Sequence, residues 1–273
     1  MTSVLRVFHR HFMRGKKGGS ERKKREREGH SPGPCIHYAN PHLKDSRTSV
    51  ILGNAMFTEF HSTLRWDQFS WNNGGTVVVL EESGADASFV IHHLLSMVSK
   101  QSDLSAVLVS LKQTKGHYQA VSLRIGGNLM KHLESEGNEL NFIKSGNLSG
   151  LYERIEKESQ PSCLILIDKL AILQDLGVSK GEIITFFNKL RELAKKLSGT
   201  LVIITSEDSG VGKFMGHCSD YILKVSPLET GYSSSVTGNL RFRWGKYEQD
   251  KIQYLRRDKF VQVFALGSSS AVL

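Results

Sequence analysis

Residues 76–99, TVVVLEESGADASFVIHHLLSMVS, decide the fold. The opening TVVVL is an apolar, β-branched run of the kind that forms a strand buried on both faces. A short loop of small and acidic residues follows, and Phe89, Ile91, Leu94, Leu95 and Val98 then recur at helical spacing. Strand, tight loop and helix in this order are where an α/β nucleotide-binding fold keeps its phosphate loop. That loop reads GxxxxGK[ST]: backbone amides cradle the phosphates and the lysine reaches the β and γ groups. Laid over residues 81–88, the pattern puts Glu81 and Asp86 at the two glycines and Ala87 at the lysine, and only Ser88 keeps its type. Carboxylates at a helix N-terminus satisfy its free amides themselves and repel a phosphate. The expectation is a nucleotide-binding frame from which the nucleotide chemistry is missing.

Outward from this stretch the same alternation continues. Residues 106–111 (AVLVSL), 163–167 (CLILI) and 200–205 (TLVIIT) read as further buried strands, and 140–143 as a short one. Residues 118–133 look helical despite Gly126 and Gly127, and 148–158 form a shorter helix. The clearest helix is 179–197. Ser179 and Glu182 make a capping box, Ile183, Phe186, Phe187, Leu190, Leu193 and Leu197 form its apolar stripe, and Gly199 stands where a C-cap belongs. Upstream, residues 55–69 mix apolar and polar positions around Trp66, and 72–75 (NNGG) make a turn into the first strand. Strands alternating with helices imply a mostly parallel sheet covered on both faces. After Asp220 the period changes. Residues 221–225, 239–244, 252–255 and 261–266 read as short strands separated by turns, an antiparallel meander added to the sheet edge.

Charge divides the chain. Residues 1–48 hold twelve Lys and Arg against four Asp and Glu, whereas the other 225 residues hold 24 against 23. The net charge of +9 therefore describes a tail, and the folded part is nearly neutral. Residues 1–15 lack acids and would place Arg6, Arg10 and Arg14 opposite Leu5, Phe8 and Phe12 on a helix, the pattern of a mitochondrial presequence. Residues 16–28, KKGGSERKKRERE, form a basic cluster suited to a nuclear signal or an RNA-attracting arm. With the breaker-rich 31–40, residues 1–48 read as a basic, disordered leader and 49–273 as one domain. No run of eighteen apolar residues exists, so a membrane span is not expected. Cys35, Cys163 and Cys218 form no CxxC, which points to a reducing compartment and no structural zinc.

The candidate sites each carry two readings. Asp168 ends the most apolar strand, where a nucleotide-binding fold places a carboxylate for magnesium, and an Asp there also caps the short helix of residues 169–176. Residues 209–214 (SGVGKF) imitate a phosphate loop, but Glu207 and Phe214 stand where Gly and a hydroxyl are required. A mobile glycine-rich loop with Lys213 touching a nucleic-acid backbone, or a plain connection, fits better. His92 and His93 point about 100° apart on a helix and do not chelate together, which leaves them as core and surface histidines. His117 and Tyr118 suit a subunit boundary or a helix start. No HExxH and no supported Ser/His/Asp arrangement is present, so a hydrolase site is not expected. Arg241, Arg243, Lys246, Lys251, Arg256, Arg257 and Lys259 make the meander basic, interleaved with Phe242, Trp244 and Tyr254. This composition suits RNA contact and equally suits an exposed antiparallel face.

The order of parts is that of a RecA-like ATPase core. Within that fold, residues 56–273 resemble the Elongator complex protein 6 family through FVIHHLLS, LILIDKLAILQDLG, TLVIITSEDSG, LETGYSSSVTGNLRFRW and DKFVQVFALGSSSAVL. The resemblance implies a P-loop-NTPase-type core with C-terminal antiparallel strands and a degenerate phosphate loop. It implies assembly with Elongator proteins 4 and 5, two copies of each of the three, into a ring that docks on the larger Elongator subunits. That ring binds tRNA, releases it in an ATP-dependent way and supports wobble-uridine modification, whose chemistry sits in another subunit. It further implies a cytoplasmic and nuclear protein with no catalytic residue, cofactor or metal of its own. The tRNA-contact candidates are then Lys213, Arg241, Arg243, Lys246, Arg256 and Arg257. The rival readings are an active RecA-like ATPase and a stand-alone RNA-binding adaptor.

Overall fold

A computed structural model describes residues 3–7, 55–101, 104–125 and 148–265. Outside the described residues lie the leader apart from residues 3–7, the breaker-rich 31–40, the second half of the 118–133 helix, the expected strand at 140–143 and the last eight positions. The described elements follow in order: β1 (Ser3–Val7), α1 (Ala55–Thr63), β2 (Thr76–Glu81), α2 (Ser88–Lys100), β3 (Ser105–Ser110), α3 (Lys115–Arg124), α4 (Leu148–Glu158), β4 (Cys163–Ile167), α5 (Ile172–Asp175), α6 (Lys180–Lys196), β5 (Thr200–Ser206), α7 (Gly210–His217), β6 (Tyr221–Ser226), β7 (Gly238–Trp244), β8 (Tyr247–Arg256) and β9 (Val261–Phe264).

One sheet runs β1-β3-β4-β5-β2-β6-β7-β8-β9. The pairs from β3 to β6 are parallel, β1 joins β3 antiparallel, and β7, β8 and β9 extend the other side antiparallel. This is a RecA-like α/β core with C-terminal antiparallel strands. The unbroken aliphatic strands are explained by their two neighbours. Val77 and Val79 enter the core under α1 and α2, while Val78 and Leu80 enter the core under α4 to α7. A strand with helices on both faces has no side left for polar residues, and each wholly buried Val or Leu contributes about 1.5–3 kcal/mol.

The expected capping box at Ser179 and Glu182 is present, and α6 buries Ile183, Phe186, Phe187, Leu190 and Leu193. Gly199 has a different reason from the one its position suggests. The positive φ at the helix end belongs to Ser198, at 49°, whereas a Cβ on Gly199 would lie 2.2 Å from the Cys163 carbonyl oxygen. Gly199 is required by close approach. Strand β8 is longer than the expected 252–255, because its first half is an exposed polar ribbon with no hydrophobic signature. Residues 209–214 are no mobile loop. They open α7, capped by the Ser209 hydroxyl on the Gly212 amide at 2.8 Å, and a Cβ on Gly212 would lie 2.0 Å from the Ser206 carbonyl oxygen. Gly212 lets this helix start against the end of β5. No described helix is long and apolar enough to cross a membrane.

Candidate functional site

In an open α/β sheet, ligands gather beyond the carboxyl ends of the parallel strands. Here β2 ends at Glu81, β3 at Ser110 and β4 just before Asp168. Ala87 occupies the N-cap position of α2 and has no side chain to cap with, so the carboxylates of the preceding loop serve the helix amides. Glu81 Oε2 accepts from the Ala87 amide at 3.3 Å, and Asp86 accepts from the Ser88 amide at 3.1 Å and its hydroxyl at 3.0 Å. The cations that a phosphate would attract are also engaged. Lys169 Nζ lies 2.6 Å from Glu81 Oε1, Lys112 Nζ lies 3.2 Å from Asp86 Oδ1, and Arg256 donates to Asp86 Oδ2. Burial works to raise the Asp86 carboxyl, but the Arg256 hydrogen bond, the Lys112 charge and the Ser88 amide outweigh it and hold the group well below the usual carboxylate range.

Asp168 neither caps α5, whose N-cap is Ala171, nor presents free oxygens to the surface. It is 3% exposed. Three successive backbone amides at the end of β3 donate to it: Leu111 at 2.6 Å, Lys112 at 3.0 Å and Gln113 at 3.1 Å. The Tyr118 hydroxyl donates at 2.9 Å, and Ser110 Oγ lies 3.2 Å away. Consecutive amides turned inward form an anion-binding concavity, and here the anion is a side chain. Burial, followed by the charge and hydrogen bond of Asp168, pushes the Tyr118 phenol far above its ordinary range, so Tyr118 stays a donor. A magnesium ion needs carboxylate lone pairs aimed at it or at its waters, and those of Asp168 are committed to the protein. Among the described residues no group of three or more His, Cys, Asp or Glu is arranged to hold a metal.

The two adjacent histidines part as their helical spacing requires. His93 is buried with its Nε2 3.1 Å from His61 Nδ1. His92 faces His117 across α3, ring centres 5.3 Å apart, and burial with the His117 charge lowers its pKa to about 4.

The six basic candidates separate into three places. Lys213, Arg241 and Arg243 come together in a groove of about 460 Å³ between α7 and the face of β6, β7 and β8. Lys246 sits on the β7–β8 turn, its Nζ 5.5 Å from the Tyr247 ring, on which Arg65 also stacks at 4.4 Å. Arg256 is tied to Asp86, and Arg257 closes the β8–β9 turn through its amide to the Phe260 carbonyl at 2.9 Å. Lys224 and His217 are among the groove residues that were not singled out in the sequence. Lys224 had a signal: it is the one charged residue in YILKVS, an otherwise buried strand. Its Nζ lies 2.5 Å from Glu207 Oε1, and it stands opposite Arg241 in the β6–β7 ladder. Glu248 and Asp250 line the β8 wall. Among the described residues no carboxylate is ion-paired with Lys213, Arg241 or Arg243. The internal ion pairs and the Asp168 concavity had no signal of this kind, because their partners lie tens of residues apart, up to 170 for Asp86 and Arg256.

Comparison with known proteins agrees with this architecture. A family model described as Elongation complex protein 6 matches residues 57–148 and 134–263. The chain is similar to Elongator complex protein 6 of Danio rerio, 29% identical over 80% of this chain and the whole of that relative. It is similar to the Homo sapiens protein of the same name, 27% identical over 73% of this chain and 93% of that one. The Drosophila melanogaster protein of that name is 25% identical over 71% of this chain and 91% of its own length.

Proposed function

The chain belongs to the Elongation complex protein 6 family, and from that premise we propose that it works as a non-catalytic subunit of the Elongator complex. In this reading it forms a ring with Elongator proteins 4 and 5, two copies of each, docks on the larger subunits and handles tRNA during wobble-uridine modification. It needs no cofactor and acts in the cytoplasm and nucleus. The names of its relatives support membership of the complex.

One observation carries the non-catalytic part. The carboxylates of Glu81, Asp86 and Asp168 occupy the helix amides, the strand-end amides and the three cations that phosphates would use, and the oxygens of Asp168 that a magnesium ion would need are bonded within the protein. Displacing them would leave buried amides and an ion pair unsatisfied, at about 1–3 kcal/mol for each group. A RecA-like fold relieved of nucleotide binding still offers broad faces and a sheet edge for ring assembly.

The test is recovery of the tagged full chain from its own cells, followed by native mass of what returns and nucleotide titration of the isolated chain. A ring with two sister subunits and no measurable ATP affinity for the lone chain is expected. A stable monomer that binds and turns over ATP overturns the reading in favour of an active ATPase. A monomer whose RNA affinity collapses on removal of residues 1–48 overturns it in favour of a stand-alone adaptor.

A further inference from the structure

We infer that the groove between α7 and β7 is a phosphodiester site for one unpaired strand of RNA, an assignment that rests on the tRNA-handling reading above. Three cations converge on it from two elements, Lys213 on α7 and Arg241 and Arg243 on β7, and none is ion-paired with a described carboxylate. At the head of α2, by contrast, Lys112, Lys169 and Arg256 each have such a partner. Lys224, already oriented by Glu207 and directly opposite Arg241, adds a fourth charge to the floor.

The arrangement discriminates between polyanions. Arg241 and Arg243 are two residues apart on one face of a strand, so their Cα atoms stand about 6.6 Å apart. Regularly spaced guanidinium forks match a chain of phosphates, each able to take a bidentate contact. The floor is the face of a sheet paired along the β6–β7 ladder, with the β7–β8 register shifting beside Arg241. Duplex RNA is disfavoured by the opposite wall. Glu248 and Asp250 confine the cations to one narrow stripe, and the second strand's phosphates would be brought against those carboxylates. A single strand can follow the stripe with its backbone alone.

The experiment uses the ring recovered with the full chain. Binding of a single-stranded oligonucleotide and of the matching duplex is measured by anisotropy over a range of salt, for the native chain and for Lys213→Gln/Arg241→Gln/Arg243→Gln. Each single-strand phosphate contact contributes about 0.7 to the slope of log affinity on log salt. The triple variant is therefore expected to lower the single-strand slope by about 2 and to leave duplex binding unchanged. In the native ring, a photoreactive single strand is expected to label the peptides holding Lys213 or Arg241–Arg243, a readout that needs no variant. An RNA-binding ring with unchanged slope, labelling only elsewhere, or displacement of the oligonucleotide by a polyglutamate peptide at lower concentration than by the unlabelled strand would each overturn the assignment. A native chain that forms no ring defeats the earlier reading instead.

Discussion

Two charged regions of this molecule are built from the same residue types and behave as opposites. At the head of α2, Lys112, Lys169 and Arg256 each meet a carboxylate, and the carboxylates in turn hold backbone amides. In the groove beside α7, Lys213, Arg241 and Arg243 form no ion pair with a described carboxylate, although Glu248 stands opposite Arg243 in the β7–β8 ladder. The first region spends its charges on the fold, because ions and amides that are partly desolvated must be answered internally. The second keeps its charges in water, where they cost little and remain able to meet an outside polyanion. Ancestral shape alone would point to the first region as the working site; the disposition of charge points to the second.

The largest expected effect that separates the regions is at Asp168. Asp168→Ala removes the acceptor of three successive amides and of Tyr118 in one step. Leaving these buried donors without an acceptor costs about 1–3 kcal/mol for each, which for a domain of this size lowers Tm by roughly 10 °C or more. Thermal unfolding of the chain, alone or in its assembly, checks this. A Tm within 2 °C of the native value would mean that the carboxylate is not structural, and the contrast between the regions would fail there.

The contrast also marks what the sequence could and could not tell. The α/β frame was legible because buried strands carry unbroken aliphatic runs and α6 carries both its stripe and its cap. The departure from a phosphate loop was legible because Glu81, Asp86 and Ala87 replace residue types that the chemistry demands. The answering groups were not legible. Nothing near Asp168 in the chain announces the amides of Leu111 to Gln113, and nothing near Asp86 announces Arg256, since register between distant elements brings them together. The same limit explains why six basic residues of similar appearance fall into three separate places. The reading of residues 209–214 as a mobile loop failed for a local reason: Gly212, of a type that usually marks flexibility, here permits α7 to touch β5, and its cause is steric.

A smaller effect is expected at Asp86, and it carries a pH signature. Its folded carboxyl is held below the ordinary carboxylate value of about 3.9, so the unfolded chain binds the proton more readily. The stability that Asp86 adds is therefore complete above about pH 5 and is lost as pH falls through the ordinary range towards the lowered folded value. The side chain is about a third exposed, which limits the contribution to about 1 kcal/mol. Denaturant titrations of the native chain and Asp86→Asn should differ by that amount near pH 7 and converge towards pH 3. Curves that stay parallel through the acid range would show that Arg256 and Lys112 are not paired with a charged Asp86 in solution.

The smallest effect is expected in the groove, and its smallness is the point. Lys213→Gln and Arg241→Gln remove cations that no described carboxylate answers, so neither variant strands a partner in the interior. Surface changes of that kind stay within about 0.5 kcal/mol, and removing one of several like charges relieves a little repulsion, which makes a slight gain in stability as acceptable as no change. Unfolding midpoints of the two variants should coincide with the native one. A loss above about 1.5 kcal/mol, beyond what an exposed and unpaired charge supplies, would reveal that these side chains serve the fold as Glu81 and Asp86 do. The groove would then be a second self-satisfied region, and the distinction between the two would disappear.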